Sequence, residues 1–430
     1  MASFSFPFRI PPVEQLAIPA VSILIFFLAY TSQYLFYYIE PGPLKGAEFW
    51  WFNGFVLAIW WCYDRACFVD PGPKGWVERY ALDVSEEDEN EEDDNEDELS
   101  LAKGLRWCKK CKAVKPPRAH HCKKCGRCIP KMDHHCPWTT NCVSYTNFPH
   151  FIRFVLYAVI SMAILGGHLV IRASVLWENR NLPAYLGPPV WALVHLFVLL
   201  IVNSITLFAL FVLLIRAAYS LGTNTSQIES WEIERHEALI ERARKTGGYV
   251  YANGGQKMRI ERQEFPYDIG IWKNLCQGMG TSNVLMWLMP FGGAPNIKDA
   301  ADWEVNGFED ESKTWPPPDP DKMPRSGHSL DDDAQLREFG NAEEEKAAFK
   351  KRQHDDYARR NKKSGEYEDG YNEIDYDSEY EEGMDGEEGW TNSDGDRLRD
   401  YGVDEEAEVL ADDDIPLSEL IRRRKIRSHD

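Results

Sequence analysis

Four long apolar runs constrain this chain more than any other feature, because each approaches the roughly 20 residues that an α-helix needs to cross a hydrocarbon core. They cover residues 16–38, 47–69, 154–171 and 190–215. The first ends in Tyr34, Phe36, Tyr37 and Tyr38, aromatic rings that favour the bilayer interface. The second is interrupted by Asn53 and stops at Asp64, Arg65 and the turn Asp70-Pro71-Gly72, and its alternative is a buried hairpin. The last two runs are uncharged throughout. The pattern predicts an all-α polytopic membrane protein with four transmembrane helices. His168, His195 and Asn203 fall within the spans, where polar groups face the bundle and bond between helices.

Orientation follows from the basic residues of the connections. Residues 101–131, between the second and third runs, carry eleven Lys and Arg and no acid, whereas residues 39–46 and 172–189 carry one and two. The positive-inside rule predicts that this loop and both termini face the cytosol. The first run lacks a basic lead, so it is expected to stay as an anchor, and the start is not Met-Gly, so no myristoylation is expected.

The chain has 69 acidic against 48 basic side chains, a net charge of −21, which argues against a nucleic-acid binder. The excess is local. Residues 301–430 hold 40 acids and 19 bases, residues 1–300 balance, and residues 86–98 pack eleven carboxylates into thirteen positions. From about residue 299 the apolar content drops, and such a composition buries too little surface to offset chain entropy, so disorder is expected to the end. Residues 417–427 form a basic run within that tail.

Ten cysteines occur, and seven fall between Cys108 and Cys142. In a reducing cytosolic loop this density points to metal or catalysis and away from disulfides. The pattern is Cys108-x2-Cys111-x9-His121-Cys122-x2-Cys125-x2-Cys128-x6-His135-Cys136-x5-Cys142. Zinc takes four tetrahedral ligands from thiolate and imidazole, so setting Cys136 aside leaves two Cys3His sets. Neighbouring side chains diverge, so His121 and Cys122 are assigned to different ions. One site is then Cys108, Cys111, His121 and Cys128, and the other is Cys122, Cys125, His135 and Cys142. Both zinc ions are expected to be structural, because a loop this short depends on metal to fold.

Cys136 stands in Asp133-His134-His135-Cys136-Pro137-Trp138. Along an extended segment alternate side chains share a side, so His134 and Cys136 face each other while His135 turns toward its zinc. Asp133 can orient the imidazole, giving nucleophile, base and holder. Nearby cations, Lys131 among them, are expected to lower the thiol pKa. A third structural ligand or an inert buried thiol is the other reading of Cys136.

Residues 108–151 resemble the cysteine-rich domain of the DHHC family of protein S-acyltransferases, with Asp133-His134-His135-Cys136 as its signature. Lys115-Pro116-Pro117-Arg118, His120-His121-Cys122, Asn141-Cys142-Val143, Asn147 and Phe151 carry the likeness further, as do Asp70-Pro71-Gly72 and Phe265-Pro266-Tyr267-Asp268-Ile269-Gly270 with Asn274. Where the family has Thr-Thr-x-Glu, this chain has Ser226-Gln227-Ile228-Glu229, so Glu229 alone matches. Ala119 and Ser144 are smaller departures. The resemblance spans residues 16 to about 275.

It implies a protein-cysteine S-palmitoyltransferase working through an acyl-Cys136 intermediate, with a long-chain acyl-CoA as co-substrate and membrane-associated proteins bearing cytosolic cysteines as acceptors. Lys115, Arg118 and His120 are the candidates for phosphate contact, with a solvated basic face as their alternative, and Trp138 for the mouth of the acyl cavity. The expected layout is transmembrane helices 1 and 2 (1–72), an acidic linker (73–100), the zinc domain of short β-hairpins and loops (101–151), transmembrane helices 3 and 4 (152–216), cytosolic C-terminal motifs with an amphipathic helix along the membrane surface (217–298) and the disordered acidic tail (299–430). Similarity to a fungal subgroup places the chain in the endoplasmic reticulum membrane. A membrane-anchored zinc adaptor or ligase-like module, all its cysteines structural, is the competing reading.

Overall fold

The computed structural model describes residues 13–80, 106–252, 257–308, 313, 315–322 and 390–409. The acidic block at 86–98 and the basic run at 417–427 lie outside the described residues. Among the described residues, three helical spans are long and apolar enough to cross a membrane: Leu16–Leu35, Phe148–Glu178 and Val190–Thr223. Helix α1 (Val13–Phe26) continues through a π-helical turn (Phe27–Thr31) into Ser32–Leu35. There Thr31 Oγ1 donates to the Phe27 carbonyl and Ser32 Oγ to that of Leu28, giving carbonyls of the altered turn partners within an apolar setting. Helix α2 (Ala47–Phe68) has 22 residues, about 33 Å at 1.5 Å per residue. It is long enough to cross, but Glu48, Asn53, Asp64 and Arg65 keep it less apolar than the others, so three spans stand where four were expected.

Helix α3 (Phe148–Glu178) packs against α2 through Ala58, Ile59, Cys62, Tyr157 and Ala158, and with α4 (Val190–Thr223) encloses Leu165, Leu169, Leu196 and Leu199. Polar groups stitch the bundle. Asn203 Nδ2 donates to the Met162 carbonyl at 3.1 Å, His195 Nε2 meets Thr31 Oγ1 at 3.0 Å, and Gln33 and Asn53 bond each other at 3.1 Å. His168 stands against the Phe36 ring.

Between α2 and α3 the chain forms three two-stranded hairpins: β1 (Trp107–Cys108) with β2 (Ala113–Val114), β3 (His120–Cys122) with β4 (Arg127–Ile129), and β5 (His134–Cys136) with β6 (Asn141–Val143). Their core is small, as the density of cysteine requires. The end of α2 seats them: Asn141 Nδ2 donates to the carbonyls of Ala66 and Val69, Ser144 Oγ to that of Pro71 and Thr146 Oγ1 to that of Asp70.

Helix α5 (Gln227–Lys245) starts at a capping box in which Ser226 Oγ accepts from Glu229 N–H and Glu229 Oε2 accepts from Ser226 N–H. The expected membrane-surface helix instead turns its apolar face onto the hairpins. Ile228 and Trp231 pack with Ile129, Met132, Cys122 and Cys142. Glu229 also receives Arg118, Nε to Oε1 at 2.6 Å and Nη2 to Oε2 at 2.8 Å. The Arg118 guanidinium lies 4.5 Å from the ring centroids of both Tyr267 and Trp303. Burial disfavours the Glu229 carboxylate, but this guanidinium outweighs it and holds the carboxyl below its ordinary value.

The tail is corrected in part. Residues 299–308 and 315–322 are placed, and residues 390–409 form a clasp on the hairpins. Strand β7 (Glu408–Val409) pairs with β1, while Leu398, Tyr401 and Val403 fill the core around Cys122. Gly402, at φ +86°, lies so close to His135 that a Cβ would sit 2.7 Å from its Cβ. These apolar residues, set among many acids, were invisible to a composition argument.

Glu229→Gln leaves a buried guanidinium without its counter-ion, a loss of about 3–5 kcal/mol. It should lower the thermal midpoint of the purified protein sharply, and Arg118→Met combined with Glu229→Leu should cost less than the two single changes summed. Truncation after residue 389 removes the clasp and should speed metal loss to a chelator several-fold; an unchanged rate would mean that the clasp does not hold the metal sites.

Candidate active site and metal centres

The hairpin register brings the ligand candidates together. In β3–β4 His121 pairs with Cys128, in β5–β6 His135 pairs with Cys142, and the turns after Cys108 and Cys122 fold back so that Cys111 and Cys125 N–H groups donate to the preceding thiolates. Two groups result, Cys108, Cys111, His121 and Cys128, and Cys122, Cys125, His135 and Cys142, each with its ligand atoms within 4.8 Å of one another. His121 Nδ1 is 3.4, 3.4 and 3.8 Å from the Sγ atoms of Cys108, Cys111 and Cys128. His135 Nδ1 is 3.6, 3.6 and 3.5 Å from those of Cys122, Cys125 and Cys142. A tetrahedron with metal–sulfur bonds of about 2.3 Å and metal–nitrogen bonds of about 2.0 Å has a sulfur–nitrogen edge of about 3.5 Å, so both groups fit one tetrahedral ion each.

Cys136 belongs to neither group. It is 5 % exposed at the end of β5 and lies among Ala66, Val143, Phe151 and Val155, at the junction of α2, α3 and α4. Two residues back on the same strand, His134 is the group that most favours the thiolate. Its Nδ1 meets Asp133 Oδ2 at 2.7 Å, and its ring stands edge-on to Phe151. Asp133 is itself held, since its N–H donates to the Val143 carbonyl and its Oδ1 accepts from the Gln227 N–H at 2.9 Å. Burial disfavours the imidazolium, yet Asp133 and Cys136 raise the His134 imidazole to about 10. Burial likewise disfavours the thiolate, and His134 still holds the Cys136 thiol below its ordinary value. Both shifts favour a pair of thiolate and imidazolium, a form suited to attack on an electrophilic carbonyl.

The four candidates for the donor molecule fare differently. Lys115, Arg118 and His120 are 2 %, 3 % and 2 % exposed, which removes them from a solvent-facing phosphate site. Arg118 is spent on Glu229, and His120 Nε2 lies 3.8 Å from Glu232. The Lys-Pro-Pro-Arg run turns inward because α5 brings carboxylates to meet it, a contact from over a hundred residues away. Trp138 is 62 % exposed beside the nucleophile, and its carbonyl accepts from Tyr63 Oη–H at 2.9 Å. Lys131 is engaged by another partner. It donates to Asn224 Oδ1 near the Trp303 ring, and burial and the Arg118 charge push its ammonium down to about 7.

Residues that the sequence motifs contain, but to which they gave no role, complete the support. The Gln227 backbone fixes Asp133, and its signal was the offset motif around Glu229. Asn147 Oδ1 accepts from Ser144 N–H while its Nδ2 donates to the Cys142 carbonyl. Asn274 binds the Gly222 carbonyl and Asp268 at 2.7 Å each, locking the Phe265–Gly270 motif to the end of α4.

Comparison with known proteins agrees with this geometry. A family model described as DHHC palmitoyltransferase matches residues 102–234. The palmitoyltransferase pfa4 of Aspergillus fumigatus is 50 % identical over 435 residues, covering 96 % of this chain and 98 % of the relative. Palmitoyltransferases of the same name from Emericella nidulans and Gibberella zeae are 49 % and 46 % identical, covering 97 % and 98 % of this chain and 98 % of each relative. With its signature motif, its membrane helices and similarity along nearly its whole length, the chain belongs to the DHHC palmitoyltransferase family.

Proposed function

We propose that this protein S-palmitoyltransferase uses Cys136 as its nucleophile, His134 as the proton carrier and Asp133 as the group that holds the imidazole. The observation that carries the assignment is the separation of roles among the cysteines: Cys136 stands outside both metal groups and beside a carboxylate-held imidazole. The thiolate attacks the thioester carbon of a long-chain acyl-CoA, the carbon–sulfur bond to CoA breaks, and the departing thiolate takes the proton from the His134 imidazolium. An acceptor cysteine on a membrane-associated protein then gives its proton to His134 and attacks the acyl group on Cys136. The apolar side chains around Cys136, Phe154, Leu210, Leu213 and Leu214 among them, suit the acyl chain, and Trp138 suits its mouth. The adaptor reading, with every cysteine structural, has no metal role left for Cys136.

The two tetrahedral groups are assigned to zinc, since three thiolates and one imidazole form a closed, soft donor set typical of its structural sites. The ions fold the hairpins and take no part in the reaction. Helix α2 is assigned as a fourth span. Trp50, Trp51, Leu57 and Phe68 face outward, while Phe52, Val56, Ile59 and Cys62 face the bundle, the division a lipid-facing helix needs. An even number of crossings leaves both termini on the side of the cysteine-rich domain, and the basic residues of 101–131 assign that side to the cytosol. Residence in the endoplasmic reticulum rests on the resemblance to the fungal subgroup. The boundaries proposed are those of the sequence layout, with residues 390–409 joined to the zinc domain.

Purified protein incubated with labelled palmitoyl-CoA should form a hydroxylamine-sensitive adduct, absent in Cys136→Ser and slowed at least about tenfold in Asp133→Asn. An adduct of undiminished yield in Cys136→Ser would remove the assignment. Elemental analysis should find about two zinc ions per chain, and Cys125→Ser should lose about one of them.

A further inference from the structure

A cavity of about 580 Å³ opens between the end of α2, the Asp70–Pro73 turn, the first turn of α3 and residues 291–297. Cys136 is not among its lining residues. Its walls are mostly apolar, with Trp61 edge-on to Phe291 at 5.3 Å and Val69, Pro73 and Ile297 around them. Arg65 is the one Lys or Arg in its lining, and the His150 imidazole lines it as well. His150 is 7 % exposed, and among the described residues its buried Nδ1 has no hydrogen-bond partner. A buried polar atom left without a partner is costly, and a ligand that supplies the bond relieves that cost.

The surroundings favour an anion. Asp70 is the one carboxylate in the lining, and its Oδ1 is already engaged by Arg127 Nη2 at 2.9 Å and the Gly72 N–H. On the opposite wall the Gly292 and Gly293 carbonyls turn onto Arg153 Nη1, at 2.8 and 3.1 Å, so their negative ends point away from the cavity.

We propose that this cavity binds the phosphate of an anionic phospholipid, with Arg65 at the mouth and His150 Nδ1 inside. The position supports a lipid over a soluble anion. The cavity lies where α2 ends and α3 begins, on the side of the cysteine-rich domain, at the level where headgroups meet the spans. Basic pockets between transmembrane helices on this side recognise anionic headgroups. Trp61 and Phe291 offer apolar area for the glycerol backbone and the first acyl carbons, which inorganic phosphate does not use.

The test is native mass spectrometry of the full chain, released from detergent after incubation with phosphatidylinositol or phosphatidylcholine. Wild-type protein should retain one phosphatidylinositol well above phosphatidylcholine. Arg65→Gln, at an exposed position, should cut that retention about fivefold, and His150→Leu should cut it as well, with zinc content and monodispersity showing that both variants fold. Equal retention of the two lipids, or equal retention by wild type and Arg65→Gln, overturns the proposal. Displacement of the lipid by low-millimolar inorganic phosphate would make the ligand a free anion and overturns it too.

Discussion

The ion pair of Arg118 and Glu229 is the contact on which the part of the molecule outside the helical bundle depends. Arg118 comes from the hairpins, Glu229 from the first turn of the helix that follows the last span, and the aromatic rings of Tyr267 and Trp303 from the segment beyond. Three regions far apart in sequence therefore meet at one desolvated charge pair. Such a pair adds little stability over an apolar substitute, but it penalises every arrangement in which either charge is buried alone. The same turn of helix carries Gln227, whose N–H holds Asp133. The correct seating of α5 and the correct orientation of the His134 imidazole are thus one event.

Metal and membrane complete the frame from opposite sides. The two Cys3His groups fix the hairpins, which have little apolar core of their own. Asn141, Ser144 and Thr146 then fasten the hairpins to the backbone at the end of α2. Cys136 sits where the two systems touch, on a strand that also carries the ligand candidate His135 but among side chains from the helices. A thiolate there is shielded from water yet adjacent to the path a fatty chain would take.

Much of this was legible in the sequence, for stated physical reasons. Ligand spacing within hairpins is local, so the division of eight ligands into two groups followed from residue counting, as did the shared strand face of His134 and Cys136. Contacts between distant segments were not legible. Lys115, Arg118 and His120 read as a basic surface because their acidic partners lie over a hundred residues downstream. Helix α5 read as amphipathic, which was right, but periodicity does not say whether lipid or protein covers the apolar face. Acidic composition hid Leu398, Tyr401 and Val403, since a mean over 130 residues cannot register a short apolar cluster.

The clasp has a consequence for biosynthesis. Strand β1 begins at Trp107, and its outer partner begins at Glu408, about 300 residues later. At a translation rate of about 5–20 residues per second, the ribosome takes about 15–60 s to deliver the clasp after the hairpins have emerged. During that interval one edge of β1 and the apolar side of the second ligand group stay uncovered, although the helices flanking the hairpins have already been made. The nascent protein is thus open to chaperones and proteases at its hairpins until residues 390–409 have been made.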